Sequence, residues 1–250
     1  MSLQTHEGRV AVITGAASGF GQAISVGLAA RGANIVAVDV ADPSETVAQI
    51  EEHGRKALVL TADVTDPDAV ADIGAQVRSA FGRCDILVNN AGIYPVRPFD
   101  EVDFALWRKV HAINLDSQFL MTKAVVDLMK ENGWGRIVNI TSNSIVIAVP
   151  GLSHYMASKA GVIGFTRGLA TDLAALGITV NAVGPTATPN AAFKADPAGP
   201  AMIEAVVAMQ AIKRPGHADD IVGTVAFLTT DDAAFVTGQT IMADGGLARI

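Results

Sequence analysis

Apolar positions along the chain follow two alternating periods. Short runs rich in β-branched residues recur at 9–14, 34–38, 57–61, 85–88, 136–141, 178–183 and 240–243. Between them, apolar residues return every three to four positions at 22–31, 67–81, 104–130, 155–176 and 218–228. The first pattern is that of strands covered on both faces, and the second that of helices with one face against a sheet. Their alternation predicts an α/β fold, a doubly wound parallel sheet of seven strands with helices on both faces. No repeat, low-complexity stretch or linker interrupts it, so residues 1–250 read as a single domain.

The rhythm breaks once, at 185–215, where five prolines surround one helical patch at 200–212. A long irregular insertion in a compact domain is usually a functional loop. This one follows the sixth strand, at the edge where an open parallel sheet presents its carboxyl ends to ligand.

Composition narrows the partners. Half of the residues are hydrophobic and 17% are charged, which argues against disorder. A net charge of -7 disfavours nucleic acid or an anionic membrane. The opening MSLQTHEGRV has no basic segment followed by an apolar one, and the longest apolar runs, such as 144–149, fall far short of a bilayer span. A soluble, cytoplasmic protein is expected, acting on a small molecule. The one cysteine, Cys84, rules out an internal disulfide, and the five histidines are scattered without ligand spacing, so no metal site is expected.

The first strand runs directly into Thr14-Gly15-Ala16-Ala17-Ser18-Gly19-Phe20-Gly21, and a helix follows. Glycines let the backbone turn tightly and approach a pyrophosphate, and the helix N-terminus offers unpaired N–H groups. Three glycines alone could simply make a turn, but strand, loop and helix at the first βα unit is the context that a dinucleotide site requires. Asp39 ends the second strand, eighteen residues after Gly21. A carboxylate there can accept from the adenine ribose hydroxyls and would repel a 2′-phosphate. No lysine or arginine lies at 36–42, and Ser18 stands where a basic residue could grip that phosphate, so NAD is expected rather than NADP. A plain turn aspartate is the alternative. Asp63 and Val64, after the third strand, and Asn90, Ala91 and Gly92, after the fourth, complete the expected nucleoside wall.

Tyr155 and Lys159 lie four apart at the start of a helical pattern, hence on one face. Phenol is a poor base near its free pKa of about 10, and a neighbouring ammonium favours the phenolate. Such a pair suits the transfer of an alcohol proton alongside a hydride. Ser142, at the end of the fifth strand, can donate to a substrate oxygen.

These motifs, in this order, resemble the short-chain dehydrogenase/reductase family over nearly the whole chain. The resemblance rests on Thr14 to Gly21, Asp63, Asn89 to Gly92, Asn114, Ser142, the Tyr155-Met-Ala-Ser-Lys159 motif and the ending Gly238-Gln239-Thr240 to Asp244-Gly245-Gly246. It implies a Rossmann-type sheet of order 3-2-1-4-5-6-7 in a single dinucleotide-binding and catalytic domain. It further implies Tyr155 as acid/base, Lys159 lowering its pKa and holding the nicotinamide ribose, Ser142 orienting substrate, and Asn114 seating a water for proton relay. A homotetramer is the family expectation. The chain departs from the family after the sixth strand. Pro185-Thr186 replaces the usual Pro-Gly, and Asn190 stands where a carboxamide-binding threonine is usual, so Thr188 is taken for that contact beside Pro185.

Within the family, 81–95 and 161–173 resemble members that act on 1-phenylethanol and on pyridoxal. Tyr94, Ser144, Ile145, His154 and Phe193 are the expected substrate-pocket residues, with the alternative that His154, beside Tyr155, points away from the site. The expected activity is NAD(H)-dependent interconversion of a small apolar or aromatic secondary alcohol and its carbonyl compound. An NADPH-dependent ketoreductase and a catalytically silent nucleotide sensor are the rival readings.

Overall fold

The computed structural model describes residues 4–147, 149–189 and 199–249. Seven strands form one sheet: β1 (Val10–Thr14), β2 (Asn34–Asp39), β3 (Ala57–Thr61), β4 (Ile86–Asn89), β5 (Gly135–Ile140), β6 (Ile178–Pro185) and β7 (Thr240–Ala243). Every pairing is parallel, and the order is β3-β2-β1-β4-β5-β6-β7. The helices are α1 (Gly19–Ala29), α2 (Ser44–Glu52), α3 (Pro67–Phe81), α4 (Phe104–His111), α5 (Ser117–Asn132), α6 (Ser153–Leu173), α7 (Gly199–Met209) and α8 (Val222–Leu228).

The apolar runs of the strands feed two cores. Side chains alternate across a strand, so Val10, Val12, Val36, Val38 and Leu87 enter one core while Ala11, Ile13, Ile35, Ala37, Ile86 and Val88 enter the other. On the first face, α3 supplies Val70, Ile73 and Val77, and α5 supplies Met121 and Val125. On the second, α1 supplies Ile24 and Leu28, α2 supplies Ile50, and α8 supplies Val222 and Val225. Each such side chain, fully buried like Ile13, is worth roughly 1.5–3 kcal/mol.

Two helical segments differ from the sequence pattern. Helix α2 escapes it because only Thr46 and Ile50 of Ser44–Glu52 are buried, leaving too few apolar positions to show a period. The expected helix at 104–130 is broken by a π turn, Ala112–Asp116, centred on Asn114. Single π turns inside α-helices frequently mark functional positions.

Candidate active site

The carboxyl ends of the strands open into a cavity of about 500 Å³. Its nucleotide side is built from the glycine loop. Gly15 and Gly19 take φ of +66° and +58°, which L side chains rarely adopt. Gly21 is required for a different reason, since a Cβ there would fall on the Gly15 carbonyl and 2.7 Å from Asn90 Nδ2. The loop is stitched to the end of β4. Asn90 Nδ2 donates to Thr14 O at 2.9 Å and Gly15 O at 3.2 Å, and the Asn90 and Ala91 amides both donate to Thr14 Oγ1 at 3.0 Å. Helix α1 begins without a side-chain cap from Ser18 and with no acidic residue in its first turn, so its N-terminal field is not cancelled locally.

Asp39 closes this side. Its Oδ2 accepts from Ala17 N and its Oδ1 from Ala41 N, both at 2.9 Å. The carboxylate is thereby held between the glycine loop and the loop after β2. Asp63 is exposed and turned into its own loop, where the amide and hydroxyl of Thr65 hold its carboxyl below the usual range.

The reacting side is assembled by α6. Lys159 is almost wholly buried, donates to Ile140 O at 2.8 Å, and is lowered by burial to about 8. Thr141 Oγ1 donates to Lys159 O at 2.8 Å, which fixes α6 against the end of β5. Burial pushes the Tyr155 phenol up, and the Ser142 hydroxyl near it pulls it back. Lys159 Nζ lies 5.9 Å from the Tyr155 ring centroid. Ser142 Oγ accepts from Ser144 N at 3.1 Å.

Asn114 is fully buried, and both ends of its amide are committed. Oδ1 accepts from Ile93 N at 2.8 Å, and Nδ2 donates to Ile93 O at 2.9 Å and to Ser158 Oγ at 3.1 Å. Its side chain therefore fixes the loop after β4. A Cβ on Gly92 would lie 3.2 Å from Asn114 Oδ1 and 3.4 Å from Lys159 Nζ.

Of the expected cofactor residues, Gly15, Ser18, Phe20, Asp39, Asp63, Val64, Asn90, Ala91, Gly92, Tyr155, Lys159 and Pro185 line this cavity together with Tyr94. Gly19 and Gly21 shape the loop without facing the space. Thr188 lines a neighbouring cavity of about 330 Å³ and donates to Thr186 O at 3.2 Å. Ser144 and His154 are buried, and Ile145 is half-buried away from the cavity lining. His154 in particular does not face the pocket, because its Nε2 binds Pro95 O at 2.9 Å. Phe193 lies outside the described residues. The sequence reading missed Val38, Val40, Ala62, Ile113, Ile140 and Thr141 in the lining. The last two immediately precede Ser142, so their place at a strand end was the available signal. Among the described residues, no group of three His, Cys, Asp or Glu is placed to hold a metal ion, and no helix is long and apolar enough to cross a membrane.

Comparison with known proteins agrees with this geometry. A family model described as enoyl-(acyl carrier protein) reductase matches residues 15–248. A 3-oxoacyl-[acyl-carrier-protein] reductase from Synechocystis is 39% identical over 244 residues, 96% of each chain. The chain belongs to the short-chain dehydrogenase/reductase family. A cis-4-hydroxycyclohexanecarboxylate dehydrogenase from Sinomonas cyclohexanicum is 41% identical over 247 residues, 97% of each chain. A solved structure from Agrobacterium tumefaciens with bound NADP superposes with a TM-score of 0.89 at 37% identity, covering 99% of each chain. Members of this short-chain dehydrogenase/reductase family are oxidoreductases that bind a nicotinamide cofactor, and the cradle fits one: a glycine loop, an uncapped helix N-terminus and a glycine at 92.

Proposed function

We propose that the protein interconverts a small secondary alcohol with an apolar, ring-bearing body and its carbonyl compound, using NAD(H). The observation that carries this reading is Tyr155 at one end of a cavity whose other end is the glycine loop and Asp39. When bound, the nicotinamide ring supplies the hydride acceptor or donor.

The chain's own residues handle the proton. Tyr155 Oη takes it from the alcohol in oxidation and returns it in reduction. Ser142 donates to the substrate oxygen as negative charge grows there. Lys159, anchored on Ile140 O, brings positive charge to the site and would hold the cofactor's ribose. Asn114 sets the height of the loop over them. Ile93, Tyr94, Ile113 and Ile140 give the cavity an apolar wall suited to a hydrocarbon ring. The dehydrogenase relative named for a hydroxycyclohexane substrate supports the same class. Asp39 is the basis for NAD.

An NADPH-dependent ketoreductase is the second reading, favoured by the relative solved with NADP. Initial rates of NADH and NADPH formation across acyclic, cyclic and aromatic secondary alcohols separate the two. Tyr155→Phe is expected to lower kcat by about 10²–10⁴ while NADH still binds. Unchanged turnover in that variant, with a good substrate, overturns the mechanism.

A further inference from the structure

The chain between β4 and α4 lines the cavity at 90–94 and has no regular structure until residue 99, so its backbone polar groups must find partners elsewhere. Beyond the bonds of Asn90 and Ala91 to Thr14, three contacts among the described residues hold it. Asn114 grips Ile93 through both its amide and its carbonyl. His154 Nε2 binds Pro95 O at 2.9 Å. Arg97 N donates to Gly151 O at 2.9 Å. Gly151 itself has a φ of +74°, and a Cβ there would stand 3.0 Å from Val96 Cγ1, so the loop lies directly on the turn before α6. Tyr94 falls between the first two fixings. Its ring meets that of Tyr155 edge to face, with centroids 6.4 Å apart and planes inclined at 72°.

The histidine is informative because of the nitrogen it leaves over. A carbonyl oxygen only accepts, so Nε2 carries the hydrogen and Nδ1 carries none. That Nδ1 is buried with no hydrogen-bond partner among the described residues, and the residue has no exposed surface. An apolar side chain would fill the same space without an orphaned acceptor. The bond to Pro95 is what the histidine contributes that an apolar residue would not.

We propose that His154 is a positioning residue which, through Pro95, holds Tyr94 as a fixed aromatic wall beside Tyr155, and that this wall selects secondary alcohols carrying a ring on the carbinol carbon. The inference rests on the alcohol reading above. A ring held in place by its backbone gains offset or edge contacts with a substrate ring without first being ordered. A flexible alkyl chain of equal size must lose its own rotamers to occupy the same wall, and it gains no ring contact.

The test uses the whole protein and two eight-carbon secondary alcohols, 1-phenylethanol and 2-octanol, alongside hydrogen exchange of the loop amides. The wild type should favour the aryl alcohol in kcat/KM by about tenfold or more. Tyr94→Ala, a half-buried position that the fold tolerates, should bring the ratio near one. His154→Leu should raise KM for the aryl alcohol at least fivefold, with a smaller rise for 2-octanol, and should speed exchange at Tyr94, Val96 and Arg97 about tenfold. His154→Gln, whose Nε2 can donate to Pro95 O, should recover most of both effects.

Unchanged exchange in His154→Leu overturns the clamp. A substrate ratio unmoved in Tyr94→Ala overturns the wall, as does a loss in His154→Leu equal for both alcohols and carried by kcat. A protein that binds NADH yet oxidises neither alcohol refutes the alcohol reading and the selectivity drawn from it, while the exchange data still decide for or against the clamp.

Discussion

Replacing Asp39 with asparagine should shift the cofactor preference from NAD toward NADP. The wild-type carboxylate is pinned by two backbone amides, at 2.9 Å each, so it cannot swing away from an incoming 2′-phosphate. Two like unit charges about 4 Å apart repel by about 4 kcal/mol at an effective dielectric of about 20. The site is open to solvent and salt, and screening leaves roughly half of that. Since each 1.4 kcal/mol is about a factor of ten, about 2 kcal/mol excludes NADP by roughly thirtyfold. The variant removes this repulsion. It also weakens the bonds to the ribose of NAD by about 1 kcal/mol, because a neutral acceptor is weaker than a charged one.

Together these should lower the NAD to NADP ratio of kcat/KM by about 100-fold. Asparagine offers one acceptor where two N–H groups await, so the melting temperature should fall by the few degrees that about 1 kcal/mol implies for a domain of this size. The assay is initial rates with each cofactor at a fixed saturating alcohol, at low and moderate salt. A wild type that prefers NADP, or a ratio that moves less than about fivefold in the variant, would refute the electrostatic argument.

Two further outcomes follow from the same geometry. Gly21→Ala should weaken NADH binding at least 100-fold in a fluorescence titration and lower stability by about 1–3 kcal/mol, because its Cβ meets the Gly15 carbonyl; near-wild-type affinity would mean that the loop is not a tight cradle. His6 is buried against Thr229 and held neutral, its pKa lowered to about 4 by burial first and then by Arg31 and Arg9. The unfolded chain takes up this proton earlier as pH falls, so the contribution is complete above about pH 6.5 and is lost as pH falls toward about 4, by about 3 kcal/mol. Urea midpoints should accordingly drop less between pH 7 and 4.5 in His6→Gln than in the wild type, and parallel curves would contradict it.

Much of the site was legible because its residues sit where pattern changes to punctuation. Gly15, Asp39, Asp63, Asn90 and Tyr155 all stand at the end of a strand run or the start of a helical one, and all line the cavity. For His154 the sequence left two directions open, into the pocket wall or away from it. On a helix, neighbours in sequence point about 100° apart, and the histidine turns under the loop. Lys159 was expected to act on Tyr155 as the adjacent cation of its motif. The structure anchors it on Ile140 O with its Nζ 5.9 Å from the Tyr155 ring centroid.

The sequence by itself determined the sheet, because strands covered on both faces need unbroken apolar runs and helices on a sheet need one apolar face. It also determined the location of chemistry at the carboxyl ends of those strands. The π turn at Asn114, the commitment of that side chain to Ile93, and the placement of Tyr94 over Tyr155 were decided only by the tertiary structure. Each depends on contacts between segments distant in the chain, and no local period of hydrophobicity records which distant backbone group a buried side chain will find.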